Sequence, residues 1–379
     1  MSVTIDIRGL PPDRIAFEVS PLAELGVALH ALAEPAHHPG LHGWATATAA
    51  GLKPDLAERL CEADFLWRST FSDVFMPFAG LPAGAVPAGG PGAHGPRTLA
   101  GDLDLLDLLD DDRFVSAALE FTCGATYAEG GPSALTDPGR RDRALELAAH
   151  RGPQQLDFTR RLLREPGSVR AWVRRLFEDC DRAFFADTWA RTAPQLAADA
   201  RHKTELLRRR GLAEALHAVS PSLTVDEEGA RIHADKMAEG RTTAVDPAVG
   251  AGLTLVPSSF GWPHLMILHA PGWQPVIHYP VAAPALPGPA TVDVLRRRME
   301  ALAHPMRMRL CRSLARAPYT TSELAEAYGI TAPEVSRHLG VLKRAGLVTT
   351  RRRGRYVLHQ LDVGPVARLG SDFLETVLR

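Results

Sequence analysis

The sequence predicts an α+β protein in two unequal parts: a mostly helical region with a small antiparallel sheet over residues 1–280, and a compact module over 291–379. Three observations predict it. Apolar residues recur at three- and four-residue spacing through most of the first part. Between about 222 and 280 the period changes to short β-prone runs broken by turns. Charge also divides near residue 290. The net charge is −1, yet residues 291–360 hold fourteen Lys and Arg against five Asp and Glu, and the first 290 hold twenty-seven against thirty-six. A basic module beside an acidic partner is the distribution expected of a nucleic-acid-binding end.

With 379 residues, 45% hydrophobic and 23% charged, the chain is long enough for two or three domains with real cores. No apolar run reaches the roughly 18–20 residues that span a bilayer. The opening MSVTIDIRGL carries charge where a signal peptide needs an apolar stretch, so a cytoplasmic protein without membrane attachment is expected. Cys61, Cys123, Cys180 and Cys311 are scattered and form no C-x-x-C pair, which predicts buried thiols rather than a disulfide framework or zinc knuckle.

Taken in order, VTIDI alternates like a strand, and AFEVS reads as a second. PLAELGVALHALAE places Leu22, Leu25, Leu29 and Leu32 on the stripe of a half-buried helix, with helical segments continuing to about Phe78. Residues 80–97 are rich in Pro, Gly and Ala and predict an extended excursion. An amphipathic stretch follows over 102–121, a Gly/Pro break at 130–140, and three helices near 140–165, 168–191 and 194–217. Leu162, Leu163, Trp172, Leu176, Phe177, Phe184, Phe185 and Trp189 supply their core. SLTV, RIHA, GLTLVPS, HLMILHA and PVIHYP are the strands of the antiparallel sheet, and VAAPALPGPA at 281–290 has the proline spacing of a linker.

Past the linker, VDVLRRRMEALAHPMRMRLCRSLAR is helical around Leu302, Met306, Leu310 and Leu314, broken once at His304–Pro305. TTSELAEAYGITAPEVSRHLGVLKRAGLV then parses as two helices and a tight turn. Thr321 or Ser322 caps the first helix, Leu324, Ala325 and Tyr328 face inward, and Gly329 takes the left-handed turn position, where a Cβ would clash. Thr331 caps the second helix, with Glu334 completing a capping box. Pro333 is tolerated because the first turn has no use for its missing N–H. Val335, Leu339 and Leu342 form the buried stripe, leaving Ala332, Pro333, Ser336, Arg337 and Gly340 outward. The following LVTTRRRGRYVLHQLD is a hairpin with Arg351, Arg352, Arg353 and Arg355 around Gly354.

This is the pattern of a winged helix-turn-helix: a recognition helix at 331–345 enters the major groove and a basic wing at 349–357 lies on phosphates. Arg337 is the candidate for bidentate guanine reading. Thr331, Pro333, Ser336, His338 and Lys343 complete the helix side of a double-stranded DNA interface.

LAHPMRMRLCRSLAR, VSRHL and KRAGLVTTRRRGRYVLHQLD resemble, in order and spacing, the ArsR family of winged-helix transcription regulators. The resemblance covers about seventy residues. It implies a repressor acting as a homodimer through its first and last helices, here 292–303 and 365–378. Family members that sense metals do so through a cysteine pair at the first helix of the motif, where this sequence has Thr320 and Ser322, or through residues including histidine on the last helix, which has none in 365–378. Metal sensing by those routes is not expected, and no cofactor is implied. Two further stretches, FEVSPLAELGVALHALAEPAHHPGLHGW and GLTLVPSSFGWPHLMILHAPGWQPVIHYP, are similar to an uncharacterised domain that precedes ArsR-type winged helices in other regulators.

Within residues 1–280, His37, His38 and His42 read as surface or turn histidines, and no metal site is expected there because no carboxylate or cysteine stands at ligand spacing. Asp102, Asp104, Asp107, Asp110, Asp111 and Asp112 read as the solvated face of a leucine-rich helix. Ser258 and Ser259 lack a nucleophile-elbow setting. Trp262, His264, Trp273, His278 and Tyr279 are the candidates for lining a small-molecule effector pocket. The expected protein is a DNA-binding regulator and not an enzyme. The alternatives are that residues 1–280 form an enzyme or a pure protein-interaction module fused to the winged helix.

Overall fold

The computed structural model describes residues 2–68, 71–82, 97–119, 131–236, 240–268, 270–281, 291–353, 356–362, 365–366 and 369–378. The contacts divide the chain into two compact units, residues 1–234 with 238–286, and residues 287–378 with 235–237. Most of the predicted excursion at 80–97 and of the linker at 281–290 lies outside the described residues.

The first unit is organised around helix α1 (Pro21–Ala33). Ser20 caps it by accepting from the Ala23 N–H, and Pro21 occupies the first turn. The predicted half-buried stripe is an underestimate, because every residue from Pro21 to Leu29 is buried. A helix that is apolar on most of its circumference belongs in the middle of a core, and α1 is enclosed accordingly. Gly26 permits this: a Cβ there would stand 2.6 Å from the rings of both Phe71 and Phe75. Phe75, fully buried, also meets Trp67 and Phe177 edge-on or tilted. Burying a side chain of that size contributes about 1.5–3 kcal/mol.

Helices α2 (His42–Gly51) and α3 (Pro54–Ala63) follow, and the stretch predicted over 102–121 resolves into α4 (Leu99–Leu108) and α5 (Asp111–Leu119). The aspartates there are not simply a solvated face. Asp102 is buried, accepts from the Ser20 hydroxyl at 2.7 Å and the Leu22 N–H at 3.2 Å, and pairs with Arg97 at 3.1 Å, placing negative charge at the start of α1. Asp104 and Asp107 pair with Arg174, and Asp111 with Arg170.

The three helices expected between 140 and 217 are cut differently. They are α6 (Pro138–Arg151), α7 (Pro153–Arg164), α8 (Pro166–Cys180), α9 (Ala186–Arg210) and α10 (Leu212–Val219). A π-turn at Asp181–Phe185 carries α8 into α9, and Pro194 lies inside α9 rather than starting a helix. Gly152 and Gly211, both at positive φ, supply two of the breaks.

The single antiparallel sheet expected near 222–280 is instead two four-stranded sheets that recruit strands from the N-terminus. One has the order β3 (Leu223–Val225), β4 (Arg231–Asp235), β1 (Ser2–Asp6), β5 (Gly240–Thr243). A two-stranded ribbon, β6 (Val245–Asp246) and β7 (Gly250–Ala251), precedes the second sheet. That sheet runs β2 (Ile15–Phe17), β8 (Leu253–Ser258), β10 (Val276–Pro280), β9 (Met266–Leu268). β1–β5, β2–β8 and β8–β10 are parallel pairs, which a local hairpin reading cannot supply. Burial explains the sequence patterns: β1 and β4 alternate because one face is covered, whereas every residue of β8 is buried.

The second unit runs α11 (Val292–Leu302), α12 (Pro305–Leu314), α13 (Thr321–Tyr328), α14 (Ala332–Arg344), β11 (Val348–Arg353), β12 (Tyr356–Leu361) and α15 (Leu369–Leu378). Its core holds Leu310, Leu314, Leu324, Val335, Leu339, Leu342 and Leu347. Cys311 is buried among them, and burial raises its thiol pKa, as expected of a core thiol. Cys180 is likewise buried and pushed up to about 12, but Cys61 is exposed, against expectation, and Cys123 lies outside the described residues. No helix among the described residues is long and apolar enough to cross a membrane.

Candidate DNA interface

The presentation of α14 is set by turn chemistry. Thr320, rather than Thr321 or Ser322, caps α13, and it forms a complete capping box with Glu323, one helix earlier than the box expected at Thr331. Gly329 ends α13 in the left-handed region at φ 65°. The Tyr328 hydroxyl donates to the Arg309 carbonyl at 2.7 Å and meets the Ser313 hydroxyl at 2.6 Å, tying α13 to α12. Thr331 then caps α14 by accepting from the Glu334 N–H.

Val335, Leu339 and Leu342 are buried, while Thr331, Pro333, Ser336, Arg337 and Lys343 are exposed. His338 differs from the rest of the predicted set. It is half-buried with its ring centroid 4.9 Å from that of His304 at the start of α12. β11 and β12 pair antiparallel from Val348↔Leu361 to Arg353↔Tyr356, so the arginine run flanks a hairpin tip. Arg351 and Arg352 are exposed, Arg353 ends β11, and Arg355 lies outside the described residues.

The ion pairs separate two sets of cations. Arg296 and Arg297 pair with Asp293, Arg296 also with Glu300, and Arg298 with buried Asp372 at 2.6 Å. Arg337, Lys343, Arg351 and Arg352 have no ion-pair partner among the described residues. Exposed cations without internal partners, set on one helix and the adjoining hairpin, retain their charge for an anionic polymer.

The candidate effector-pocket residues do not all share one side of the second sheet. Trp273 packs its ring on Gly80, where a Cβ would stand 2.6 Å away, and belongs to the helical core. Tyr279, the next residue in β10 after His278, therefore points to the opposite face of the sheet and lies in the other core, donating its hydroxyl to Asp199 at 2.7 Å. His278 is fully buried with both ring nitrogens lacking a hydrogen-bond partner, and burial holds its pKa down to about 3. Alternation along β10 thus sets Tyr279 apart from Trp273 and from His278, whose ring meets Phe71 of the helical core at 5.6 Å, while the Trp262 carbonyl meets His38.

His264 instead joins a group that sequence spacing did not reveal. Its Nε2 lies 3.2 Å from Nε2 of His30, 234 positions away, with His37 and His38 beside them. Of the surface-or-turn reading, the turn holds, since His37 ends the 3-10 turn Pro35–His37 and His38 follows it, but His38 is buried and His37 half-buried, because their neighbours come from α1 and from the loop after β8. The His42 side chain lies outside the described residues.

An exposed polar helix face over an apolar stripe, capped at Thr331 and followed by a basic hairpin, defines a winged helix-turn-helix transcription regulator. Comparison with known proteins agrees. A sequence model described as a helix-turn-helix domain matches residues 302–351, and one described as a family of unknown function (DUF5937) matches residues 1–285. The biofilm growth-associated repressor of Agrobacterium fabrum is 34% identical over 105 residues, covering 27% of this chain and 87% of that protein. The HTH-type transcriptional repressor SmtB of Mycobacterium tuberculosis is 38% identical over 89 residues, covering 24% of this chain and 66% of that one, slightly under two thirds of its length. A crystal structure of the transcriptional repressor BigR from Xylella fastidiosa matches 21% of this chain and 82% of its own at 28% identity, with a TM-score of 0.19. The chain belongs to the DUF5937 family through its first 285 residues and, through its C-terminal module, to the ArsR/SmtB family of winged helix-turn-helix regulators.

Proposed function

We propose that this regulator is a dimeric repressor that reads a specific duplex with the exposed face of α14 and grips phosphates with the β11–β12 wing. The observation that carries the reading is the set of outward cations without ion-pair partners, Arg337 and Lys343 on α14 and Arg351 and Arg352 on β11. Arg337 lies in the second turn of a helix whose first turns reach base edges, and its guanidinium matches the paired acceptors of guanine. Thr331, Pro333 and Ser336 frame the helix start.

Dimerisation is supported by the outer faces of α11 and α15. These helices pack on each other through the Arg298–Asp372 pair while leaving Met299, Phe373, Leu374 and Val377 between 40% and 46% exposed. Such a patch on two adjacent helices suits a self-complementary two-fold interface. Repression follows the named activity of the relatives, and residues 1–280 are read as the part that receives a regulatory signal, such as a small-molecule effector. A cytoplasmic site of action follows from the same reading.

Selection from a random-sequence duplex pool tests the proposal. The full-length protein should enrich an inverted repeat with half-sites about 10–10.5 base pairs apart, or a multiple of that. Enrichment of a lone half-site would contradict the dimer, and no enrichment at low salt would contradict sequence reading.

A further inference from the structure

The first unit brings four imidazoles together from three segments: His30 on α1, His37 and His38 on the 3-10 turn that follows it, and His264 on the loop between β8 and β9. Their ring centroids lie 4.8 Å (His30–His264), 5.0 Å (His38–His264), 5.1 Å (His30–His38), 5.6 Å (His30–His37), 6.0 Å (His37–His264) and 6.5 Å (His37–His38) apart. Ligand atoms of His30, His37 and His264 all fall within 4.8 Å of one another.

The orientation of two rings is fixed by main chain. Nδ1 of His30 lies 2.7 Å from the Trp67 carbonyl, and Nδ1 of His38 lies 2.7 Å from the Trp262 carbonyl. A carbonyl oxygen only accepts, so each Nδ1 carries the hydrogen and each Nε2 of the neutral ring keeps its lone pair. A metal-ligating histidine is commonly held this way, its second nitrogen donating to a carbonyl. The His30 Nε2 lone pair faces Nε2 of His264 at 3.2 Å, within hydrogen-bond reach when no ion lies between them. Nε2 of His38 and Nδ1 of His37 are buried without a hydrogen-bond partner, and unmet polar atoms in an interior are costly. The 3.2 Å separation of the His30 and His264 Nε2 atoms is close to the roughly 3.3 Å between two nitrogens on one tetrahedral ion at metal–nitrogen distances of about 2.0–2.1 Å.

We propose that His30, His37 and His264, with the His38 ring packed beside them, bind a divalent transition-metal ion of borderline softness such as zinc. Three imidazole nitrogens and no thiolate select this class over calcium or magnesium, which prefer oxygen ligands. The site is separate from the winged helix and stands whether or not the protein represses. His30 and His37 are half-buried and His264 is buried; His37 stands on a short turn and not on the enclosed helix α1, so closing the remaining gap falls to that turn.

The test uses chelator-stripped full-length protein titrated with Co²⁺, read by the visible bands of tetrahedral cobalt, and then with Zn²⁺ in competition. A saturable site that Zn²⁺ empties of cobalt is expected. His37→Ala and His264→Gln should each weaken binding by more than about 100-fold, beyond the roughly 10–100-fold that loss of an outer partner causes. His37→Ala sits on a half-buried turn, so the metal-free variant should melt where the metal-free parent melts, which keeps the test readable if His264→Gln fails to fold. Saturable binding lost in the variant supports the site. Absence of saturable binding, or binding unchanged in a folded His37→Ala protein, overturns it.

Discussion

The two units treat their polar side chains in opposite ways. The first draws them inward. Glu24 is wholly enclosed and accepts from the Ser259 N–H at 2.9 Å, Asp102 braces the start of α1, and His38 and His278 are buried as neutral rings. The second unit buries one such pair, Arg298 with Asp372, beside an otherwise apolar core and turns Arg337, Lys343, Arg351 and Arg352 outward. Interior polar groups carry a desolvation cost and persist where they order a structure or meet a ligand, while outward cations are available to a partner in solution.

The largest effects should come from the first unit's aromatic core. Phe75→Ala opens a cavity beside Trp67, Phe71 and Phe177 and should cost about 3–5 kcal/mol. All six tryptophans lie within residues 1–280, so intrinsic fluorescence during urea unfolding reports on this unit. A loss below about 1 kcal/mol would mean that the cluster is not the centre of the core.

Glu24 gives the next effect, and its sign distinguishes a wrapped polar interior from an ordinary one. Burial raises its carboxyl from 4.5 to about 7, so between those values the folded chain holds a proton that the unfolded chain has released. Its stabilising contribution is complete below about pH 4.5 and is lost as pH rises through about 7, at ~1.36 kcal/mol per unit and about 3 kcal/mol in all. His278 runs the other way. Its pKa is held down to about 3 from 6.5, so its contribution is full above pH 6.5 and is lost as pH falls toward 3. Glu24→Gln should therefore exceed the parent in stability by about 3 kcal/mol at pH 8 and not at pH 4. The same difference at both pH values would show that the carboxyl titrates normally.

Smaller effects belong to the second unit. Thr320→Ala removes the capping box and should cost about 1 kcal/mol, seen as faster amide exchange across α13. Unchanged exchange would make the box idle. Replacing Arg351 and Arg352 by Ala should lower the slope of log affinity against log salt by about 0.9 per lost phosphate contact, on every duplex alike. An unaltered slope would remove the wing from the interface.

The contrast also explains what the sequence made legible. The second unit is written in local signals. Gly329, the Thr331 cap, Pro333 and the stripe of Val335, Leu339 and Leu342 lie within a few residues of what they govern, and their structural roles follow from spacing alone. The cap of α13 shifted from Thr321 or Ser322 to Thr320, since several hydroxyls at 320–322 compete for one cap; the capping box formed there and not at Thr331, and His338 turned toward His304. The first unit depends on distant pairs. β1 lies parallel to β5 and β2 to β8, so runs that read as one local antiparallel sheet became two mixed sheets. His37 and His38 looked like turn residues because their partners, His30 and His264, stand in no spacing relation to each other. Clustering of Trp262, His264, Trp273, His278 and Tyr279 in sequence likewise suggested one pocket, from which strand alternation removes Tyr279. A periodic pattern reveals the face on which a residue lies and not what arrives from elsewhere to cover it.

The most direct test measures full-length parent and Arg337→Ala protein on the selected duplex and on a scrambled one at the same salt. Loss of about 1–3 kcal/mol on the selected duplex, roughly 10–100-fold, with little change on the scrambled one, is the result expected if the exposed guanidinium of α14 reads a base. Equal loss on both would reduce Arg337 to a phosphate contact and contradict the assignment of α14 as the reading helix.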